Sequence, residues 1–241
     1  MRIDLNADVG ESFGAYAIGH DPGLMTSITS ANVAAGFHAG DPSVLRATIR
    51  RAKAHGVAVG AHPGFPDLAG FGRREMTITP REAEDLVLYQ IAAVAGVAQV
   101  EGVTLQHVKP HGALYNMAAR DAGLAAAITR AVTAFSPSLI LLGLPGSELL
   151  KAGKAAGLRV AAEVFADRAY EPDGSLMSRK KPGAIIHDAD VVVARAVKMA
   201  TEGAGETICI HSDTPGADEL AARIRAALES AGIAVKPMGS D

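Results

Sequence analysis

The strongest constraint on this chain is an alternation that runs from end to end: short apolar runs of strand length, each followed by a longer stretch with helical spacing. Strands are expected at residues 2–6, 31–35, 57–60, 105–108, 139–142, 159–164 and 207–210, with a short eighth at 233–235. Helix starts follow several of them. Asp41-Pro42 puts an acceptor side chain ahead of a proline whose missing N–H would have no helical partner anyway, and His55-Gly56 supplies the stop. Thr79-Pro80-Arg81-Glu82 has the spacing of a capping box, and Asp121, Pro145 and Asp188 open later helices. Strands joined through helices run parallel, because each helix returns the chain to the starting edge of the sheet.

Seven or eight such units fill 241 residues without a Pro/Gly/Ser-rich linker, a charge block or an internal repeat, so one domain over residues 1–241 is expected. The sheet either closes into a (β/α) barrel or stays open and doubly wound. Closure removes exposed edges and suits a chain near the usual barrel length of about 250 residues. Neither a GxGxxG turn after the first strand nor a GxxxxGK[ST] loop is present. The expected fold is therefore α/β, an irregular TIM-like barrel.

Composition removes several function classes. Lys and Arg total 23 against 26 Asp and Glu, a formal charge of -3, so there is no broad basic field to hold a nucleic-acid backbone. A single cysteine, Cys209, excludes a disulfide framework or a Cys-rich zinc site and suits a reducing compartment. Trp is absent and aromatics are 4%, which leaves little for stacking bases or sugars. The first eight residues place charges where a signal peptide needs an apolar segment, and runs such as 139–144 and 191–194 fall short of the ~20 residues that span a bilayer. A soluble, cytoplasmic protein is expected.

The polar residues that need explaining gather at the carboxyl ends of the expected strands, where a barrel builds its active site. Strand one ends in Asn6-Ala7-Asp8 with Glu11 beyond, strand two holds Asn32 and runs into His38, and strand three runs into His62. Strand four leads to Lys109-Pro110-His111, strand six to Glu163, and strand seven to His211-Ser212-Asp213. Each has a plain alternative: Asp8 as a turn residue, Glu163 as an ion-pair partner, the histidines as surface groups. For His20, His55, His107 and His187 the plain reading is preferred. Asp8 with His38 and His62 could hold a divalent metal, although no HExxH spacing supports it. Without a metal, Asp8 or Glu163 would be the general base, and Lys109 with a histidine would stabilise developing negative charge.

Two loops exceed the usual length for a strand-to-helix connection. Residues 63–76 carry Phe65, Phe71, Arg73 and Arg74, a lid or clamp with guanidiniums suited to a carboxylate. Residues 165–182 carry Arg168, a Pro-Asp-Gly turn and Arg179-Lys180-Lys181; this loop is expected to bind substrate or a partner protein, the plain alternative for its basic run being solvated charge.

The segments RIDLNADVGESFG, ANVAAGFHAGDP, GAHPGFPDLAGFGRREM, HVKPHGALYN, EVFADRAYEPDGSLMSRKKPGAIIHD and HSDTPGA occur in order over nearly the whole chain. Together they resemble the LamB/YcsF family. The resemblance implies a seven-stranded (β/α) barrel of the glycoside hydrolase/deacetylase type. It also implies a part in an ATP-dependent 5-oxoprolinase, which opens the lactam of 5-oxoproline (pyroglutamate) to L-glutamate together with two further subunits, B and C. ATP, with Mg2+, is then expected at the level of the complex. The family's signature polar positions fall on Asp8, Glu11, Asn32, His38, His62, Lys109, His111, Glu163, Arg168 and His211. Of these, Asp8, Glu11, Lys109, His111 and His211 are expected to be catalytic, and Asn32, Glu163 and Arg168, with Arg73 of the first long loop, to bind substrate. His38 and His62, with Asp8, are the expected ligands of any divalent metal, and a homo-oligomer is allowed. The competing expectations are a metal-dependent amide hydrolase or deacetylase on the same barrel, and a non-catalytic substrate-binding subunit.

Overall fold

In the computed structural model, which describes residues 1–240, seven parallel strands close on themselves. They are β1 (Arg2–Val9), β2 (Ser30–Ala34), β3 (Ala58–His62), β4 (Leu105–Val108), β5 (Ile140–Gly143), β6 (Arg159–Phe165) and β7 (Thr207–His211). Each pairs with its sequence neighbour, and β1 closes the ring by lying between β7 and β2. A two-residue β8 (Ala234–Val235) pairs only with Arg2 and Ile3, below the level at which β2 begins to pair with β1. The expected barrel is thus present, with the eighth strand outside the ring.

The largest change from the expected boundaries is in β1, which continues to Val9 and so takes in Asp8 as well as Asn6. Its alternation explains why. Ile3, Leu5, Ala7 and Val9 belong to the apolar layer under the surrounding helices, while Asp4, Asn6 and Asp8 are also buried and bond across the barrel interior. Buried parallel strands usually read as continuous apolar runs; here alternation persists because the second buried face is polar. At the lowest layer Thr29 and Ser30 donate to Asp4 Oδ1 at 2.7 and 2.6 Å, and Thr207 donates to Oδ2. Burial pushes the Asp4 carboxyl up to about 6, against the pull of these hydroxyls. The side of the lumen formed by Ile140, Leu142, Ala161 and Met238 is apolar.

The helices are α1 (Asp21–Leu24), α2 (Pro42–Ala54), α3 (Pro80–Val100), α4 (Gly112–Ala118), α5 (Ala122–Phe135), α6 (Glu148–Ala155), α7 (Ala189–Thr201) and α8 (Ala217–Ser230). Asp41, Asp121 and Asp188 each accept two backbone N–H groups at the starts of α2, α5 and α7. The capping box is formed: Thr79 Oγ1 accepts from the Glu82 amide and Glu82 accepts from the Thr79 amide. Caps of this kind contribute about 1 kcal/mol each. At α6 the cap is Ser147, two residues past the expected Pro145. α3 is long and apolar enough to cross a bilayer by length and composition, but its Ala83, Val87, Ile91, Val94 and Ala98 stripe is buried in the core under the barrel wall.

Candidate active site

Side chains from the upper ends of β1, β3, β4, β6 and β7 meet at the floor of a cleft of about 940 Å³, whose rim is built from the two long loops and the start of α4. Asp8, His62, Arg73, Lys109, His111, Arg168 and His211 all line it. Of the remaining expected site residues, Glu163 is buried beneath the floor, and Glu11 and His38 are buried within contact of the His62 and His111 rings. Asn32 lies a layer deeper.

Lys109 organises the floor. Its Nζ is 2.8 Å from Asp8 Oδ1, 2.8 Å from Glu163 Oε1 and 2.9 Å from Cys209 Sγ. Burial works against its charge, but Asp8 and Glu163 outweigh burial and hold the ammonium well above the usual lysine range. Burial alone would also raise the Asp8 carboxyl. His62 and Lys109 reverse that and hold it well below the usual carboxylate range. Asp8 is therefore a fixed negative charge and a weak base, since a base works best with a pKa near the operating pH. The Tyr115 hydroxyl, on α4, faces Glu163; burial and that carboxylate push the phenol well up.

A chain of amides and an imidazole fixes Asp8 from below. Asn32 Nδ2 donates to Asp8 Oδ1 at 2.9 Å and to Asn6 Oδ1 at 2.7 Å, and Asn32 Oδ1 lies 2.8 Å from His107 Nε2. The Asn32 amide is spent on these bonds and does not reach the cleft. His107, read from sequence as a plain residue, is fully buried and completes this chain. Gly60 makes room for it: a Cβ there would stand 2.1 Å from the His107 ring.

The second group is imidazole-rich. His62 Nδ1 is 2.7 Å from the Lys109 carbonyl, and His111 Nε2 is 2.8 Å from the Phe71 carbonyl. Phe71 itself is held at a φ of 54°, in the left-handed region that disfavours a bulky side chain. A carbonyl only accepts, so both of those ring nitrogens carry hydrogen. The other two, His62 Nε2 and His111 Nδ1, are 2.9 Å apart, and in neutral rings both present lone pairs. Glu11 Oε1 lies 3.7 Å from His111 Nδ1 and 3.3 Å from His38 Nε2, and Asp8 Oδ2 lies 3.3 Å from His62 Nε2. Two facing lone pairs beside carboxylate oxygens are satisfied only by a positive centre between them, either a proton or a metal cation. Burial and the neighbouring imidazoles hold His111 well below the usual histidine range, which disfavours a proton on that ring. Glu11, His38, His62 and His111 offer donor atoms within 4.8 Å of one another, a donor set that fits a zinc-like ion. Compared with the expected Asp8, His38 and His62, Glu11 and His111 join the cluster and Asp8 stands at its edge.

His211 faces the cleft from β7, with Nδ1 2.9 Å from Asp167 Oδ2. This bond places the hydrogen on Nδ1 and leaves Nε2 for chemistry. Burial would raise Asp167, but His211 holds it below its usual value. Asp167 was missed in the sequence; its position two residues past the end of β6, beside Arg168, was the available signal. Arg73 Nη2 is 2.8 Å from Asp213. Arg168 donates to the carbonyls of Ala184 and Met177 at 3.2 and 2.6 Å, tying down the second loop.

The model of the LamB/YcsF family matches residues 3–241. A protein of Tolumonas auensis, named as the A subunit of 5-oxoprolinase, is 53% identical over 249 residues, covering 98% of this chain and 99% of that relative. A lactam utilization protein of Thermus thermophilus superposes with a TM-score of 0.92 at 49% identity, covering 98% of this chain and 99% of that one. The catalytic domain of a peptidoglycan N-acetylglucosamine deacetylase from Eubacterium rectale, at 11% identity, covers 99% of this chain and 90% of its own with a TM-score of 0.57, and shares the fold.

Proposed function

This chain belongs to the LamB/YcsF family, and from that premise we propose that it is the lactam-opening component of an ATP-dependent 5-oxoprolinase, working with two partner subunits. The observation that carries the proposal is the floor of the cleft: a buried ammonium, a fixed carboxylate and an Asp–His pair converge where a small lactam fits. An unstrained lactam is a stabilised amide with a poor leaving group. Transfer of the ATP γ-phosphoryl to the lactam oxygen converts the ring carbon into an imidate-like electrophile. The sequence has no GxxxxGK[ST] phosphate loop, so this transfer is assigned to the partners and ring opening to the barrel.

In ring opening, the oxygen of a water bonds to the activated carbon. The carbon–nitrogen bond then breaks, its electron pair going to nitrogen, which takes up protons to become the amine. A second water releases phosphate from the resulting acyl phosphate, leaving glutamate. Lys109 stabilises the negative charge that develops on oxygen, because Asp8 and Glu163 fix its position before the substrate arrives. His211, oriented by Asp167, carries the proton to the departing nitrogen. Arg168 stands on the cleft wall for the substrate carboxylate. A divalent cation held by Glu11, His38, His62 and His111 would polarise a bound oxygen and lower the pKa of a bound water. This cluster also supports a second reading, a metal-dependent amide hydrolase that needs neither ATP nor partners.

ATP-dependent conversion of 5-oxoproline to glutamate, measured with and without the two partners, separates the readings. Activity is expected only when all three proteins are present, and it should fall at least a hundredfold in Lys109→Ala and His211→Ala. Glutamate formation that needs this chain yet survives both replacements rules out the site. Turnover by this chain alone, with stoichiometric metal and no ATP, favours the hydrolase.

A further inference from the structure

The run Arg179-Lys180-Lys181, whose plain reading from sequence is a solvated basic stretch, is divided by the fold. Lys181 Nζ pairs with Glu171 at 2.6 Å and Lys180 is exposed. Arg179 is half-buried in the wall of the cleft, where Lys180 reaches only the exposed rim. Most other cations there are accounted for: Arg168 is engaged with the carbonyls of Ala184 and Met177, and Lys180 is open to solvent at the rim. Arg74 pairs with Asp67, Arg120 with Glu75, Lys109 with Asp8 and Glu163, and Arg73 with Asp213. Among the described residues Arg179 has neither an ion pair nor a hydrogen bond.

A guanidinium cannot escape by losing its proton, and an unmatched cation withdrawn from water is costly until an anion meets it. Burial lowers Arg179 from its usual value, and Arg73 adds to this; Asp213, Asp167 and Asp8 offset part of it. Arg73 comes from the loop after β3 and Arg179 from the loop after β6. Their forks are thus presented from two separate loops, with Arg73 also lying over the Phe71 ring at 4.8 Å. A planar carboxylate is satisfied by one such fork. A tetrahedral oxyanion, with three free oxygens, can accept from both.

We propose that Arg179, with Arg73, forms a phosphoryl-binding subsite on the wall of the cleft, which takes the phosphate of a phosphorylated small acid. Identifying that acid as the activated lactam rests on the function proposed above; the anion subsite does not. The same chemistry would hold a nucleotide phosphate, so the test has separate arms for the two sources.

Binding of inorganic phosphate and of ADP to the isolated chain is measured by calorimetry for the wild type, Arg179→Gln and Lys181→Gln, the last being a neighbour paired with Glu171 that does not line the cleft. Phosphate is expected to bind the wild type, to weaken about tenfold or more in Arg179→Gln, and to be little changed in Lys181→Gln. No phosphate binding to the wild type, or equal loss in both variants as a diffuse charge would give, overturns the subsite. Arg179→Gln is then assayed in the three-protein complex. A phosphoryl delivered on the substrate predicts fewer glutamates per ATP consumed, with ATP consumption maintained. Loss of ATP consumption together with loss of ADP binding assigns the phosphoryl group to a nucleotide and overturns the substrate assignment. Should the complex have no 5-oxoprolinase activity at all, the proposed function fails while the phosphate measurement still decides the subsite.

Discussion

Replacing Lys109 by Met keeps the volume of the side chain and removes the cation that two buried carboxylates share. Each contact is 2.8 Å long, which at an effective dielectric of 20 corresponds to about 6 kcal/mol of attraction per pair before desolvation is counted. Most of this is offset by the cost of burying the ammonium. The expected net loss is about 3–5 kcal/mol, because the variant leaves Asp8 and Glu163 buried without their counter-charge. The loss should depend on pH, and its sign is fixed. Without Lys109 the Asp8 carboxyl loses a cation that holds it down, and burial then raises it, so the folded variant gains a proton as pH falls. Its deficit relative to the wild type is therefore largest near pH 8 and shrinks toward pH 5, by up to about 1.4 kcal/mol per pH unit where one group titrates. Urea unfolding of both proteins across that range measures it, and adding Glu163→Gln to the variant should restore most of the lost stability at pH 8. A deficit below about 1 kcal/mol, or one that is flat with pH and unrelieved by Glu163→Gln, would refute the view of Lys109 as the shared counter-ion.

Two further substitutions test the polar lumen. The Asp4 carboxyl, raised from 3.8 to about 6 mainly by burial, contributes stability that is fully present below pH 3.8 and lost as pH rises through 6, on the order of 3 kcal/mol in all. Asp4→Asn should remove that dependence from urea unfolding curves between pH 4 and 7; an unchanged slope contradicts the assignment. Gly60→Ala places a methyl 2.1 Å from the His107 ring and is expected to cost about 3 kcal/mol in thermal unfolding, while loosening the Asn32 bond that orients Asp8. A variant as stable as the wild type would show that the ring is free to move.

The features that were legible in the sequence are those set by local chemistry. Asp41, Thr79, Asp121 and Asp188 cap the helices they were expected to cap, because an acceptor side chain ahead of a helical stretch satisfies N–H groups wherever the helix lies. The site residues were legible as types, since strand ends in a barrel share one mouth. What could not be read was which buried face is polar. The alternation of Asp4, Asn6 and Asp8 marks a common face, but only barrel closure makes that face the lumen, with Thr207 and Asn32 as partners. His107 and Asp167 failed to stand out because their partners, Asn32 and His211, lie 75 and 44 residues away in the chain. The burial of Arg179 within a basic run has no local signal at all, since Lys180 next to it is exposed and Lys181 pairs with Glu171.

If this barrel opens a lactam already activated by phosphorylation, the activated species must form before the barrel acts on it. Rapid quenching of the partner subunits with γ-labelled ATP and 5-oxoproline, with this chain added or withheld, reads that order. Labelled, phosphorylated 5-oxoproline is expected to accumulate without the chain. Adding the chain should convert this species to glutamate and inorganic phosphate, whereas adding Lys109→Ala should not. Glutamate appearing at full rate without the chain, or no phosphorylated lactam forming until the chain is present, would contradict the proposed order.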